Sequence, residues 1–191
     1  MIQIVDAALA DTTRRSKGGL VCRKGCTPCC IGVFTINQLD AARLQRGLAE
    51  LAVRDPERAA AVRLRARDSV ARLSRDFPGD PATGLLGKTN EQRRRFEDFA
   101  NEEPCPALDL DEGTCDLYDS RPMTCRTFGP PVRAEGGLGV CELCYHGFSE
   151  KEIAACEMIP DPEDLESRLL KEVEKGTGLR GDTIIAFPLA A

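Results

Sequence analysis

The chain has a single histidine, no tryptophan and only two tyrosines among its 191 residues. One imidazole excludes every metal site that needs two, the HExxH zinc proteases included. With seven phenylalanines as the other aromatics, surfaces on which nucleobases or sugars stack have few building blocks. No apolar run approaches the ~18 residues of a membrane span, so no membrane partner is expected. The opening segment MIQIVDAALADTTRRS has no basic start followed by an apolar stretch and does not read as a secretory leader. Repeats and low-complexity tracts are also missing. What remains, 42% hydrophobic and 30% charged, is the composition of a soluble chain of one-domain length, with a cytoplasmic location expected.

The net charge of −5 is unevenly spread. Residues 1–95 carry 18 Lys and Arg against 10 Asp and Glu, whereas residues 96–179 carry 7 against 20. Between Arg54 and Arg75 seven arginines face three acids. A phosphate-binding helix face is one reading. The plainer one is a solvated helix whose arginines pair with the acidic half of the same protein. No aromatics interleave with the arginines and the total charge is negative, so no nucleic-acid partner is expected.

Local signals predict mostly helices. A first helix spans Ile2 to Arg15 and ends at Gly18-Gly19. Thr35-x-x-Gln38 reads as a capping box, followed by apolar positions Ile36, Leu39, Leu44, Leu48 and Leu51. Asp55-Pro56 offers an N-cap with proline in the first turn, and Val62, Ala66, Val70 and Leu73 make one stripe. Residues 79–90 read as a loop. Thr89-x-x-Gln92 caps a helix over Glu91–Asn101 with Phe96 and Phe99 on one face. Asp111-Glu112-Gly113 marks a hairpin turn. Ser149-x-x-Glu152 caps a short helix carrying Cys156, and Asp161-Pro162 opens a helix with Leu165, Leu169, Leu170 and Val173 inward and Gly176 as its stop. The tail TIIAFPLAA forms one strand or packs across the surface. The expected fold is mainly α: a small helical domain with an irregular cysteine-rich metal-binding subregion and one short β-hairpin. It is read as a single domain, 1–191, with a core motif region over 22–144 and a helical extension over 145–191.

Ten cysteines are the prominent presence. Cys22, Cys26, Cys29 and Cys30 form C-x3-C-x2-C-C; Cys105, Cys115 and Cys125 follow, then Cys141-x2-Cys144, and finally Cys156. Core packing uses cysteines singly, whereas spacings of two or three let a tight turn aim successive thiolates at one ion. Gly25 and Pro28 suit such a loop, where backbone N–H groups can reach the sulfurs. Disulfides are the competing explanation; they are not expected, because the opening segment does not read as a secretory leader and a reducing compartment is expected. Four thiolates suit zinc and iron–sulfur clusters alike. Cys22-x3-Cys26-x2-Cys29 copies the three-cysteine loop that holds a [4Fe–4S] cluster in radical S-adenosylmethionine enzymes, but no strand–helix alternation for their barrel is present. His146, just after Cys144, is either a ligand or a surface residue.

The segments CRKGCTPCC at 22–30 and CPALDLDEGTCDLYDSRPMTCRTFG at 105–129 resemble the YkgJ-type CxxCxxCC cysteine-cluster family of zinc- or iron-chelating proteins. The resemblance implies Cys22, Cys26, Cys29, Cys30, Cys105, Cys115 and Cys125 as metal ligands, with a later cysteine among Cys141 and Cys144. Flagellin lysine-N-methylases are similar in these motifs and carry an iron–sulfur cluster, but are much longer. Around the sulfurs, Arg121 and Arg126 offer guanidinium groups that offset thiolate charge, and Tyr118 offers a ring to pack over them; an ordinary salt bridge and a half-buried ring are the alternatives. The sequence therefore points to a protein holding zinc or an iron–sulfur cluster, in the [4Fe–4S] form, and serving as cluster carrier, sensor or electron-transfer module. Its expected partners are the metal or cluster and an unidentified protein. The alternative is an enzyme that uses the cluster, such as an S-adenosylmethionine-dependent protein methyltransferase or a redox enzyme.

Overall fold

A computed structural model of the chain describes residues 1–134 and 136–191. In chain order the elements are α1 (Ile2–Arg15), β1 (Thr35–Ile36), α2 (Gln38–Arg54), α3 (Pro56–Leu73), β2 (Gly79–Asp80), β3 (Leu85–Leu86), α4 (Asn90–Glu97), β4 (Leu108–Asp109) and β5 (Thr114–Cys115). There follow α5 (Met123–Thr127), β6 (Val132–Ala134), β7 (Gly137–Gly139), α6 (Glu150–Ala154), α7 (Leu165–Thr177), β8 (Thr183–Ile184) and α8 (Ala186–Ala190). The fold is mainly helical with short antiparallel strand pairs, as the sequence predicts. Among the described residues no helix is long and apolar enough to cross a membrane. The chain divides into two compact units, the first made of Met1–Arg23 and Met123–Leu169, the second of Lys24–Pro122 and Leu170–Ala191.

The second unit is built on α2, α3 and α8, which pack on one another. Ala41, Leu44, Leu48 and Leu51 recur at helical spacing on α2, and Ala59, Val62 and Ala66 on α3; both stripes are buried with Ile185 and Leu189. Asp55 links the two helices and caps the second, its carboxylate accepting the Arg58 N–H at 3.0 Å, with Pro56 in the first turn. The predicted cap at Thr35 is not used. Asn37 accepts the Asp40 N–H instead, because Thr35 and Ile36 are drawn into a strand opposite Ile184 and Thr183. The C-terminal tail thus supplies both a strand and a short helix. Residues 79–86, read as loop, fold into the β2–β3 hairpin. Phe77, Phe96, Phe99 and Phe187 cluster beside it, and Thr89 and Gln92 form the predicted capping box of α4.

In the first unit α1 packs against α5, with Val5, Met123 and Met158 buried between them. A second cluster gathers Leu20, Cys144, Tyr145 and Cys156. Ser149 and Glu152 make the predicted box on α6, but that helix ends at Ala154, so Cys156 lies beyond it rather than on it. Helix α7 begins at Leu165, where the Asp161 carboxylate accepts the Leu165 and Glu166 N–H groups; it runs past Gly176 to Thr177. Its apolar residues are half-buried.

Gly47 illustrates how closely the second unit is packed near its cysteines. A Cβ on this α2 residue would lie 2.2 Å from Ser120 Oγ and 2.3 Å from Ser120 Cβ, in the 3₁₀ turn Tyr118–Ser120. Alanine normally improves a helix interior by ~1 kcal/mol over glycine. Here the overlap outweighs that gain, and Gly47→Ala is expected to lower unfolding stability by about 1–2 kcal/mol. Urea denaturation checks it; unchanged or raised stability would show that the turn yields freely.

Candidate metal centre

In the second unit the first cysteine loop closes into a 3₁₀ turn, Pro28–Cys30, with proline in its first position. The Cys30 N–H donates to Thr27 O at 2.7 Å. The chain then runs antiparallel to the segment before the second cysteine motif. Cys105 N–H donates to Cys30 O and Gly32 N–H to Glu103 O, both at 2.8 Å, with Ile31 opposite Pro104. Two sequence-distant cysteine motifs are thereby joined through the backbone.

The motif continues into the β4–β5 hairpin, where Leu108 pairs with Cys115. Its turn is the predicted one: Asp109 accepts the N–H groups of Asp111 and Glu112 at 3.0 Å, and Gly113 takes φ +63°, a conformation glycine adopts without steric cost. Behind it α3 acts as a clamp. Arg65 donates to Pro106 O at 2.9 Å and pairs with Asp116 at 2.5 Å. Arg58 pairs with Asp116 and with Glu112. The Asp116 side chain is fully buried. These pairs, with Arg72 to Glu103, realise the plainer reading of the arginine-rich segment.

The thiols of this unit act on one another. A hydrogen bond with Cys30, then burial, push the Cys29 thiol far above its ordinary range, against the pull of Arg121. Burial, then the Cys115 and Cys29 sulfurs, push Cys105 up to about 12, opposed by the N–H groups of Ala107 and Leu108. Cys115 is raised chiefly by burial and opposed by the Leu117 N–H and Arg121. Arg121 in turn lies over the Tyr118 ring, 3.8 Å from its centroid, with Lys24 at 5.7 Å. Tyr118 therefore packs on cations. An open groove of about 870 Å³ borders Cys115, its walls including Lys24, Arg54, Arg58 and Tyr118. Cys26 is half-buried on the same loop.

The first unit holds Cys22, Cys125, Cys141, Cys144 and Cys156. Cys141 and Cys144 hydrogen-bond through their thiols, and burial, above all, raises Cys144. Arg126 on α5 is buried and pairs with Asp6 of α1. His146 is exposed. Cys156 is buried beside Tyr145, whose hydroxyl also meets Ser16 Oγ.

Among the described residues no three His, Cys, Asp or Glu side chains stand grouped as ligands of one metal ion. Cys29 and Cys30, and Cys141 and Cys144, are engaged with each other as thiols. The donor set suits zinc or iron: neighbouring thiols, backbone N–H groups directed at the sulfurs, and a guanidinium alongside. Sequence reasoning missed Asp116, whose signal was its place directly after Cys115 opposite an arginine-rich helix, and Gly129, which no spacing singles out.

The family model CxxCxxCC, described as "Putative zinc- or iron-chelating domain", matches residues 21–156. No curated protein and no solved structure matches the chain.

Replacing Asp116 with asparagine leaves the volume and removes the charge that Arg58 and Arg65 share. Both arginines are about one-third exposed, so the cost falls below that of a fully buried pair, at about 1–3 kcal/mol. Thermal unfolding is expected to begin earlier in Asp116→Asn; an unchanged midpoint would mean that the clamp contributes nothing.

Proposed function

The chain belongs to the CxxCxxCC family, and from that premise we propose that its second unit holds a zinc or iron centre through Cys29, Cys30, Cys105 and Cys115. The observation that carries this reading is the mutual influence of these four thiols, joined by the Cys30–Cys105 backbone pairing. Cys26 is the remaining sulfur on the same loop. Arg121 offsets the negative charge that the thiolates acquire, and the N–H groups of Ala107, Leu108 and Leu117 stabilise the anionic sulfurs. Arg58 and Arg65 keep the hairpin in place through Asp116.

Zinc in such a site cross-links the chain without redox chemistry, whereas an iron–sulfur cluster adds a one-electron couple. We read the protein as a carrier, sensor or electron-transfer module without turnover of its own. The groove beside Cys115 is the side on which a metal donor or protein partner approaches. The family description names chelation and not methyl transfer.

Anaerobic purification with metal and sulfide analysis tests this reading. Zinc or iron is expected in stoichiometric amount, and a brown colour that bleaches with dithionite identifies a cluster. Cys105→Ser is expected to lose metal and stability together, because ligand binding energy is also folding energy. Cys156→Ser, which alters a buried contact of the first unit, is expected to keep its metal. A folded, metal-free chain with all ten cysteines titratable would overturn the proposal.

A further inference from the structure

We infer that the first unit carries a thiolate metal site of its own, built from Cys22, Cys141 and Cys144. This rests on the reading that the chain binds metal through cysteines, and adds to it a second site with a different ligand set. Spacing alone groups Cys22 with Cys26, Cys29 and Cys30; the contacts place it with Cys141 and Cys144.

The Cys141–Cys144 segment is a tight turn, closed by the Cys144 N–H donating to Cys141 O at 2.9 Å, and its two thiols hydrogen-bond each other. The chain that carries Cys22 lies directly against it. The backbone N–H groups of Val21 and Cys22 both donate to the Cys144 sulfur. A neutral thiol is a weak acceptor, and two N–H donors aimed at one buried sulfur suit an anionic one, as in metal-bound cysteine. Gly129 is where the remaining pieces meet. A Cβ there would lie 2.7 Å from Cys22 Cβ and 3.0 Å from Cys22 Sγ, while its carbonyl accepts the Cys141 N–H at 3.4 Å.

The surroundings hold this arrangement. Tyr145, next to Cys144, takes a left-handed φ of +57° and donates its N–H to Gly19 O at 2.7 Å. Its ring packs against Gly19, where a Cβ would come within 2.8 Å, and its hydroxyl meets Ser16. The Gly19–Cys22 segment is thus fastened at one end to the residue that follows Cys144. Cys22 itself is exposed, so an ion can reach the sulfurs from solvent.

The test counts metal in the full chain. Protein stripped of metal by a chelator and kept reduced and anaerobic is titrated with cobalt(II), followed by thiolate-to-cobalt absorption, and then with zinc under competition. The wild type is expected to bind two equivalents. Cys141→Ser and Cys144→Ser are each expected to lose one, retaining the equivalent that Cys105→Ser loses. Gly129→Ala, which removes no sulfur but displaces Cys22, is expected to lose the same equivalent as Cys141→Ser, with circular dichroism checking that each variant folds. A wild type saturating at one equivalent, with Cys141→Ser indistinguishable from it, would overturn this inference and leave the proposed function standing. A Cys141–Cys144 pair that oxidises to a disulfide, while its substitution leaves the metal count unchanged, would overturn it as well. No binding by the wild type would overturn the proposed function itself.

Discussion

A short stretch of antiparallel backbone governs the chemistry of the second unit. The Cys105 N–H donates to Cys30 O, and the Gly32 N–H to Glu103 O. Between them Pro104 faces Ile31 in the non-hydrogen-bonded position of the antiparallel pair, where the missing N–H of proline costs the pairing nothing. Without this contact the adjacent pair Cys29–Cys30 and the hairpin sulfur Cys115 would belong to independent loops. With it, Cys29 comes under the influence of Cys30, and Cys105 and Cys115 under that of Cys29. Helix α3 reinforces the arrangement, since Arg65 holds both Pro106 O and Asp116.

Thiols brought together in a half-buried place resist ionisation, because each new charge is poorly solvated and meets another sulfur. The chain opposes that tendency in several ways at once. N–H groups just after Cys105 and Cys115 are directed back at the sulfurs, and Arg121 stands near both Cys29 and Cys115. The Tyr118 ring beneath the guanidinium keeps that cation in position. In the proposed metal-bound form a divalent ion would resolve the conflict, replacing the protons with two positive charges shared among the sulfurs. The first unit repeats the theme with other donors, Val21 and Cys22 N–H toward Cys144.

What could be read from the sequence was whatever a few neighbouring residues decide. Helix α1 has the expected limits, and Asp55, Thr89 and Ser149 cap as expected. The hairpin turn at Asp111–Gly113 was legible from its turn residues, and the mainly helical class from apolar spacing. Features set by distant contacts were not. Thr35 lost its capping role to Asn37 because the C-terminal tail pairs with it. The β2–β3 hairpin has no alternation to announce it. The approach of Cys22 to Gly129 within the first unit is likewise set by residues distant in sequence.

The central claim is that metal is held by cysteine sulfur alone. X-ray absorption at the edge of the metal found in the purified protein measures this directly. The account predicts sulfur as the nearest neighbours throughout, at ~2.3 Å if the metal is zinc. A shell in which nitrogen or oxygen at ~2.0–2.1 Å makes up half or more of the neighbours would contradict it.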